Sequence, residues 1–227
     1  MEMKTASISV LCTVQLLSAC AQDLVRLDPA TRESLKSTSE IKVIHHVAPE
    51  LYVPTDQPRV AYTGGGGYAA LESQTRDLLI REYDLKDPIL RVKTNFAAAA
   101  GKKLGGPTLT PVPAPFMIGE GPDRLKMQFG RETILDFATM YWAVVPLPFE
   151  PADIVAYRAR ARLIRFPEGK ILWQGVCDLE GKDTSGGPRG ANAQGPKAGG
   201  LKEAFDLLAD TCTDQLVAQF MGKETEQ

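Results

Sequence analysis

The sequence predicts an α+β fold, a two-layer sandwich in which helices pack on one face of a mostly antiparallel sheet. Two segments carry this prediction. Apolar and polar residues alternate over 154–166, a turn follows at 167–170, and 171–179 returns as a partner strand, which is typical of a β-hairpin. Over 201–221, apolar residues recur at helical spacing, which indicates a helix with one buried face.

The first half of the chain predicts one strand and three helices. Branched residues alternate over 41–53 and indicate a first strand. Helical segments are predicted at 30–37, 68–83 and 88–104. The third of these begins with proline and ends at a glycine pair, as helices commonly do. The following stretch, 105–122, is so rich in proline and glycine that we expect no regular structure there.

A long buried strand is predicted over 133–147, which is rich in aromatic and branched residues, before the hairpin begins. The chain is long enough for one sizeable core, so we expect one domain. We divide the sequence into a signal peptide at 1–19, a tether at 20–40 and a domain at 41–222. Within that domain, 181–200 has the composition of a flexible glycine-rich linker, and 223–227 is a tail.

The N-terminus has the composition of a secretory signal. Lys4 precedes a short apolar run over 6–17, which ends in Leu17-Ser18-Ala19-Cys20. This ending resembles the lipobox of bacterial lipoproteins. The resemblance implies cleavage before Cys20 and attachment of diacylglycerol and an acyl chain, such as palmitate, to that residue. Ala21 is not the aspartate that retains enterobacterial lipoproteins in the inner membrane, so the resemblance implies the periplasmic face of the outer membrane. The alternatives are a plain secretory signal with an incidental cysteine, or a cytosolic start.

After processing, Cys177 and Cys212 are the remaining cysteine pair in an oxidising compartment, and we expect a disulfide between them. A bridge would attach the last helix to the hairpin. The alternative is a reactive or metal-binding thiol pair, for which the sequence supplies no nearby base or further ligands.

Charge argues against nucleic-acid binding, because the formal net charge is −2 and no strongly basic segment occurs. The one charged pattern with a definite predicted geometry is the row Arg158, Arg160 and Arg162. Alternate residues of a strand point to the same side, so these three side chains share one face. This row is a possible contact for an acidic partner, an anionic lipid or peptidoglycan carboxylates. The alternative is a solvated sheet face that discourages aggregation.

No catalytic or metal motif is apparent, and we expect neither an enzyme nor a cofactor. His45 and His46 are adjacent on a predicted strand, so their side chains point to opposite faces and cannot bind one metal together. The glycine run 64–67 lacks the lysine and hydroxyl residue of a phosphate-binding loop. Carboxylates fall singly on predicted helix surfaces, so spacing argues for no close acid pair.

The order of elements, with Cys20 first and a hairpin containing Gly169-Lys170-Ile171-Leu172-Trp173 before the closing helix, resembles small periplasmic lipoprotein domains of Gram-negative bacteria. These domains belong to secretion, transport-auxiliary and cell-wall-synthase-activating systems. The resemblance covers the last third of the chain best, while the glycine-rich insertion and the proline-rich middle depart from it. It implies a protein-binding or assembly role and no catalysis.

The sequence therefore predicts a lipoprotein anchored in the outer membrane through Cys20. We expect it to act as a non-catalytic assembly or transport-accessory component. Its expected partners are an envelope protein or further copies of itself, and no nucleic acid. The alternative function is binding of a glycan or an anionic lipid through the aromatic and arginine-bearing face of the sheet.

Overall fold

The computed structural model of the protein describes residues 24–54, 66–116, 122–145, 153–183 and 200–222. In this part of the chain the helices are α1 Pro29–Leu35, α2 Gly66–Glu82, α3 Ile89–Leu104, α4 Pro122–Phe129 and α5 Gly200–Phe220. The strands are β1 Glu40–His45, β2 Thr108–Pro111, β3 Thr133–Val145, β4 Asp153–Arg165 and β5 Lys170–Asp183. The signal peptide, the residues from 223 onward and most of the predicted linker 181–200 lie outside the described residues.

The strands form one mixed five-stranded sheet in the order β2-β1-β3-β4-β5. The short pairings β1–β2 and β1–β3 are parallel, whereas β3–β4 and β4–β5 are antiparallel and extend along the full long strands. The prediction of an α+β sandwich is confirmed. The predicted hairpin is also present, with Leu163 paired to Trp173 and Arg165 to Lys170.

Helices α3 and α5 cover one face of this sheet, and the main hydrophobic core lies between the two layers. Phe96 of α3 is fully buried, and its ring centroid lies 5.2 Å from Phe137, 5.8 Å from Trp173 and 5.5 Å from Phe220. These residues come from two helices and two strands, so their contacts hold the two layers together. Burial of such aromatic side chains contributes strongly to stability because of the large apolar area removed from water.

One helix that the sequence does not predict, α4, packs on the other face of the sheet. Leu125 and Phe129 of this helix are buried on the opposite side of the sheet, in a smaller cluster with Ile44, Ile134 and Ile164. Three neighbouring strands supply those isoleucines. Both α4 and the edge strand β2 lie in or next to the stretch 105–122, for which the sequence predicts no regular structure.

The predicted tether at 20–40 also requires correction, because most of its described part is folded against the domain. Val25 and Gln174 exchange two backbone hydrogen bonds, 3.2 and 2.9 Å long, which adds a short pairing at the edge of β5. Leu27 and Leu35 are buried in the main core. Between them, Asp28 caps α1 through the backbone N–H of Thr31. The folded unit therefore begins near residue 25 and not at 41.

Two strand boundaries also differ from the prediction. β1 ends at His45, although His46 still bonds to Phe137 of β3, and the chain pairs with β3 again at Tyr52, which forms a bridge with Ala143. β5 continues to Asp183 and so includes the first residues of the predicted linker. Within the described ranges no helix has the length and apolar content that a membrane span requires.

Candidate interaction surface

The sheet face opposite α3 and α5 is only partly covered by α4. Tyr52, Tyr141, Arg158, Arg160 and Asp178 form a group on the uncovered part, which we call the open face. Register brings them together: Tyr141 pairs with Arg158, which pairs with Asp178, and Arg160 follows Arg158 by two residues on β4. Alternate residues of a strand point to one side, so these side chains emerge from the same surface.

Two tyrosines form the aromatic part of the open face. The backbone N–H of Tyr52 donates to Trp142 at 3.0 Å, and its carbonyl accepts from Val144 at 3.0 Å, so Tyr52 is held beside β3. The Tyr52 and Tyr141 rings are 6.1 Å apart, and the residues are 48% and 39% exposed. Partial burial, followed by Tyr52 and Glu180, raises the pKa of Tyr141, so its hydroxyl stays protonated at neutral pH.

Two arginines provide positive charge beside these rings. The Nε atoms of Arg158 and Arg160 are buried and have no hydrogen-bond acceptor among the described residues. Arg158 approaches Asp178 with 3.6 Å between Nε and Oδ2, which is an ion pair longer than a hydrogen bond. Burial and the neighbouring Arg162 lower the pKa of Arg160. The Nε atom of each arginine is therefore unsatisfied among the described residues.

Arg162, the third arginine of the row, has a different position. Its side chain is only 12% exposed, and its Nε donates to Asp136 Oδ2 at 2.8 Å while Nη2 donates to the same oxygen. The other carboxylate oxygen is hydrogen-bonded to Nε2 of His46. Burial opposes ionisation of Asp136, but the bond from His46 and the charge of Arg162 outweigh it and lower its pKa. Asp136 thus neutralises Arg162 internally, and only Arg158 and Arg160 face outward.

The two histidines lie on opposite faces of the sheet, as predicted, and each has its own buried partner. Lys93 of α3 donates from Nζ to Nδ1 of His45 at 2.9 Å and to the carbonyl of Val112 at 2.9 Å. Burial, then the charges of Lys93 and His46, lower the pKa of His45 to about 4, so it is neutral at neutral pH. No group of three or more histidine, cysteine or acidic side chains is placed to hold a metal ion in the described ranges.

A further polar cluster lies at the bulge of β3. Asp87 Oδ1 accepts from the hydroxyl of Thr139 at 2.5 Å and from the backbone N–H of Ile89 at 3.0 Å. Burial raises the pKa of Asp87 to about 6, although both bonds oppose this change. Asp87 also borders a shallow cleft of about 330 Å³ with Lys86, Lys202 and other residues of the 84–91 and 202–206 segments.

Of the remaining predicted site residues, Cys177 and Cys212 are joined by a disulfide with 5.4 Å between their α-carbons. The bridge connects β5 to α5, as the sequence analysis expects. Cys20 lies outside the described residues, and its lipid attachment stays a prediction.

Neither polar cluster was predicted from the sequence, although the first of them had a signal. Asp136 is an acidic residue inside a strongly apolar strand, and a charged side chain in such a place is usually paired. Arg162 was recognised only as part of a row. Its pairing with Asp136 depends on the β3–β4 register, which the sequence does not show. Asp87 and Thr139 are 52 residues apart, so no local pattern connects them.

Comparisons with known proteins reveal structural likeness without sequence likeness. No protein-family model matches the chain, and no curated protein matches it. Among solved structures, the chain is similar to protein XCC0632 from Xanthomonas campestris, described with family model DUF330, at 9% identity and a TM-score of 0.39. That likeness covers 82% of this chain and 87% of the other. Lipoprotein GNA1162 from Neisseria meningitidis is 14% identical with a TM-score of 0.33, covering 78% and 97%.

A third solved structure, the PelC dodecamer from Paraburkholderia phytofirmans, is 10% identical with a TM-score of 0.34, covering 83% of this chain and 91% of the other. All three TM-scores are low. We therefore transfer no residue role, partner or activity from these proteins to this chain.

Proposed function

We propose that this protein is a lipoprotein of the bacterial envelope, anchored through Cys20 at the periplasmic face of the outer membrane, that binds an acidic region of a protein partner through its open face. In this proposal it acts as a non-catalytic assembly or transport-accessory component. The observation that carries the proposal is the arrangement of Tyr52, Tyr141, Arg158 and Arg160 on one partly exposed sheet surface.

Support for an extracytoplasmic location comes from two independent features. The sequence ends its apolar leader at Leu17-Ser18-Ala19-Cys20, and the fold joins Cys177 to Cys212. Structural disulfides persist mainly in oxidising compartments, of which the bacterial periplasm is one. A cytosolic start would account for neither feature.

A protein is the partner that the chemistry of the open face favours. Tyrosine and arginine are enriched among residues that dominate binding energy, because each combines a large contact area with polar groups. Exposed Met140 lies beside Tyr141 and adds a deformable apolar contact. Carboxylates of a partner would accept hydrogen bonds from the guanidinium groups of Arg158 and Arg160.

Photocrosslinking from single positions tests the proposal. Benzoylphenylalanine replaces Tyr141 in one strain and Leu207 in another, and both strains are irradiated as intact cells. Leu207 is the matched control, because it is 67% exposed and lies on α5, on the other layer of the sandwich. We expect a protein adduct from position 141 that is absent or much weaker from position 207.

A second set of strains combines the Tyr141 probe with Arg158→Glu and Arg160→Glu, or with Lys102→Glu and Lys202→Glu as a control of equal charge change. Loss of the adduct only in the arginine variant supports an acidic protein partner. An adduct with glycan or lipid, and none with protein, contradicts the protein assignment and supports the alternative binding function. Equal adducts from positions 141 and 207 contradict a role for the open face.

The anchor is tested separately with Cys20→Ser. We expect this variant to accumulate as unlipidated precursor, whereas Cys12→Ser, a matched change within the leader, leaves processing unaltered. Metabolic labelling with an alkyne palmitate analogue and mass spectrometry of the N-terminal peptide measure the outcome. Normal lipid labelling of Cys20→Ser contradicts the anchor.

A further inference from the structure

We infer that the outer edge of β5 accepts an extended basic segment of a protein partner as an added strand, at Asp178 and Glu180. We call this position the edge site and define it by residues 178–180. The inference goes beyond the proposed function, because it concerns backbone groups at the edge of the sheet and not the tyrosines and arginines of the open face. In strand addition, backbone hydrogen bonds supply affinity and alternate side chains supply specificity.

β5 is an outer strand of the sheet, and two of its residues show which backbone groups point away from β4. Gln174 exchanges backbone hydrogen bonds of 3.2 and 2.9 Å with Val25. The N–H of Val176 donates to Oε1 of Gln219 at 3.1 Å, and its carbonyl accepts from Nε2 of Gln219 at 2.9 Å. The side-chain amide of Gln219 thus pairs with the backbone of β5 as a neighbouring strand would.

The same geometry continues along the strand without these partners. The β4–β5 register is regular from Trp173 to Asp183, and successive residues of such a strand present their N–H and C=O groups to alternate sides. Asp178 and Glu180 therefore present these groups outward, as Val176 does. Among the described residues, none forms a hydrogen bond with the outward backbone groups of Asp178 or Glu180. The sheet can therefore be extended at this position.

The side chains of the edge site carry negative charge, which selects the occupant. Asp178 and Glu180 are exposed on the side of the sheet that bears the open face. Arg158 offsets part of the charge of Asp178 at 3.6 Å, whereas Glu180 has no ion pair with a described residue. Lys182, the next residue on this side, ends the acidic stretch. Basic residues directly opposite the two acids would form favourable cross-strand pairs.

The residue between the two acids sets a further requirement. Leu179 points to the other side of the sheet and packs against the main core. An apolar partner residue opposite Leu179 would extend that contact. The edge site therefore fits a segment in which a basic, an apolar and a second basic residue follow one another.

A second copy of this chain is a poorer occupant. Two-fold antiparallel pairing centred on Leu179 would place Asp178 opposite Glu180 of the second copy, and like charges directly opposite are destabilising. Pairing centred on Glu180 would place that acid opposite itself. The open stretch is also short, because Val25 and Gln219 occupy the positions before it. Stable interfaces between folded partners bury about 1,200–2,000 Å².

Hydrogen exchange of single backbone amides tests the inference. The probe is a synthetic peptide, acetyl-Thr-Lys-Val-Lys-Thr-amide, added in excess to isotopically labelled full-length protein, and NMR follows the exchange. Without peptide, we expect the amides of Asp178 and Glu180 to exchange fast, whereas those of Cys177 and Leu179, which face β4, exchange slowly. The peptide should slow exchange at 178 and 180 by about tenfold or more and leave 177 and 179 unchanged.

Peptides methylated at one backbone nitrogen are the matched controls. Methylation of either lysine nitrogen removes a donor that faces Asp178 or Glu180, and it should abolish the protection. Methylation of the valine nitrogen, whose N–H points away from β5, should leave the protection intact. Protection that persists with a methylated lysine shows attraction between charges without strand pairing and overturns the inference, as does the absence of protection with the unmodified peptide.

Neutral variants test the charge complementarity. Asp178→Asn combined with Glu180→Gln should weaken peptide binding by about threefold or more, because two cross-strand ion pairs are lost. Glu82→Gln combined with Glu203→Gln is the matched control, since it neutralises two exposed acids elsewhere on the domain. Equal weakening in both variants overturns the assignment to a basic segment.

Two further outcomes distinguish this inference from its rivals and from the proposed function. Slow exchange at Asp178 and Glu180 without peptide shows that a second copy or the rest of this chain already covers the edge, and it overturns the inference. Peptide protection without a protein adduct from the Tyr141 probe leaves the edge site standing and contradicts the proposed function. An adduct without peptide protection does the reverse.

Discussion

The two faces of the sheet are built from the same strands, but one face is apolar and buried, whereas the other carries charged side chains. On the face covered by α3 and α5, the side chains of β4 are Val155, Tyr157, Ala159, Ala161 and Leu163, all fully buried. On the other face, the intervening positions carry the three arginines. One strand therefore supplies both the core and the exposed charged surface, since neighbouring side chains point in opposite directions.

The difference separates the residues that hold the core together from those that we propose to bind a partner. The covered face contains the aromatic cluster and the disulfide, which connect the helices to the sheet. The open face contributes few apolar contacts, and along the row of arginines the side chain of Arg158 is more exposed than that of Arg162. Substitutions on the covered face should alter unfolding, whereas those at the exposed end of the other face should alter binding only.

The largest expected effect is that of Phe96→Ala. This change removes a ring that contacts Phe137, Trp173 and Phe220, and it leaves a cavity between the layers. We expect a loss of about 3–5 kcal/mol in the free energy of unfolding, measured with urea. Tyr141→Ala, an aromatic deletion on the open face, should cost less than about 1 kcal/mol. Comparable losses for both would remove the distinction between the faces.

Removal of the disulfide should have the next largest effect. Cys177 and Cys212 are separated by 35 residues, for which the loss of chain entropy in the unfolded state corresponds to roughly 3–4 kcal/mol. The double variant Cys177→Ala with Cys212→Ala should therefore unfold at a lower urea concentration than the oxidised wild type. Reduced wild-type protein is the control and should resemble the variant. Two free thiols in the native wild type would contradict the bridge.

Asp136→Asn tests whether the buried ion pair of Arg162 contributes more to stability than the exposed ion pair of Arg158. The change keeps the side-chain shape but removes the charge that balances buried Arg162, and we expect a loss of about 3 kcal/mol in unfolding free energy. Asp178→Asn is the matched control, because Asp178 faces exposed Arg158 and its side chain is 67% exposed. An exposed pair contributes about 0–1 kcal/mol. Equal costs would mean that burial does not distinguish the two pairs.

Much of the covered face could be predicted from the sequence, because its signals are local. The alternation over 154–166 and the helical spacing over 201–221 each specify an element with one apolar face, and the structure confirms both. The position of Cys177 and Cys212 on those elements was enough to predict their bridge.

Less of the opposite face could be predicted, because its structure depends on distant contacts. β2 has only four residues and forms a strand because β1 pairs with it in parallel. α4 is eight residues long, and its two buried side chains meet isoleucines from three strands. The candidate surface was predicted in part: alternation identified the face of Arg158 and Arg160, whereas the inclusion of Tyr52 required the return of the chain to β3.

The smallest expected effect is a gain of stability from Asp87→Asn, and it concerns a carboxyl on the covered face. Because burial raises the pKa of folded Asp87 to about 6, the folded protein retains a proton that the unfolded chain has lost between pH 4 and 6. Its contribution to stability is therefore fully present at low pH and is lost as pH rises to about 6. Asparagine keeps an acceptor for Thr139 and Ile89 without the buried charge.

We expect Asp87→Asn to raise the unfolding free energy by about 1–2 kcal/mol at pH 8 and to have little effect at pH 4. Asp84→Asn is the matched control, since Asp84 has an exposed side chain and a positive φ of 47° that asparagine tolerates. Urea titrations of the three proteins across this pH range measure the outcome. A gain that is equal at both pH values would contradict a buried, protonated Asp87, because a change in packing alone does not depend on the ionisation of one carboxyl. A gain restricted to high pH would show that this covered-face carboxyl, unlike Asp136 with its arginine, is stabilised by its proton.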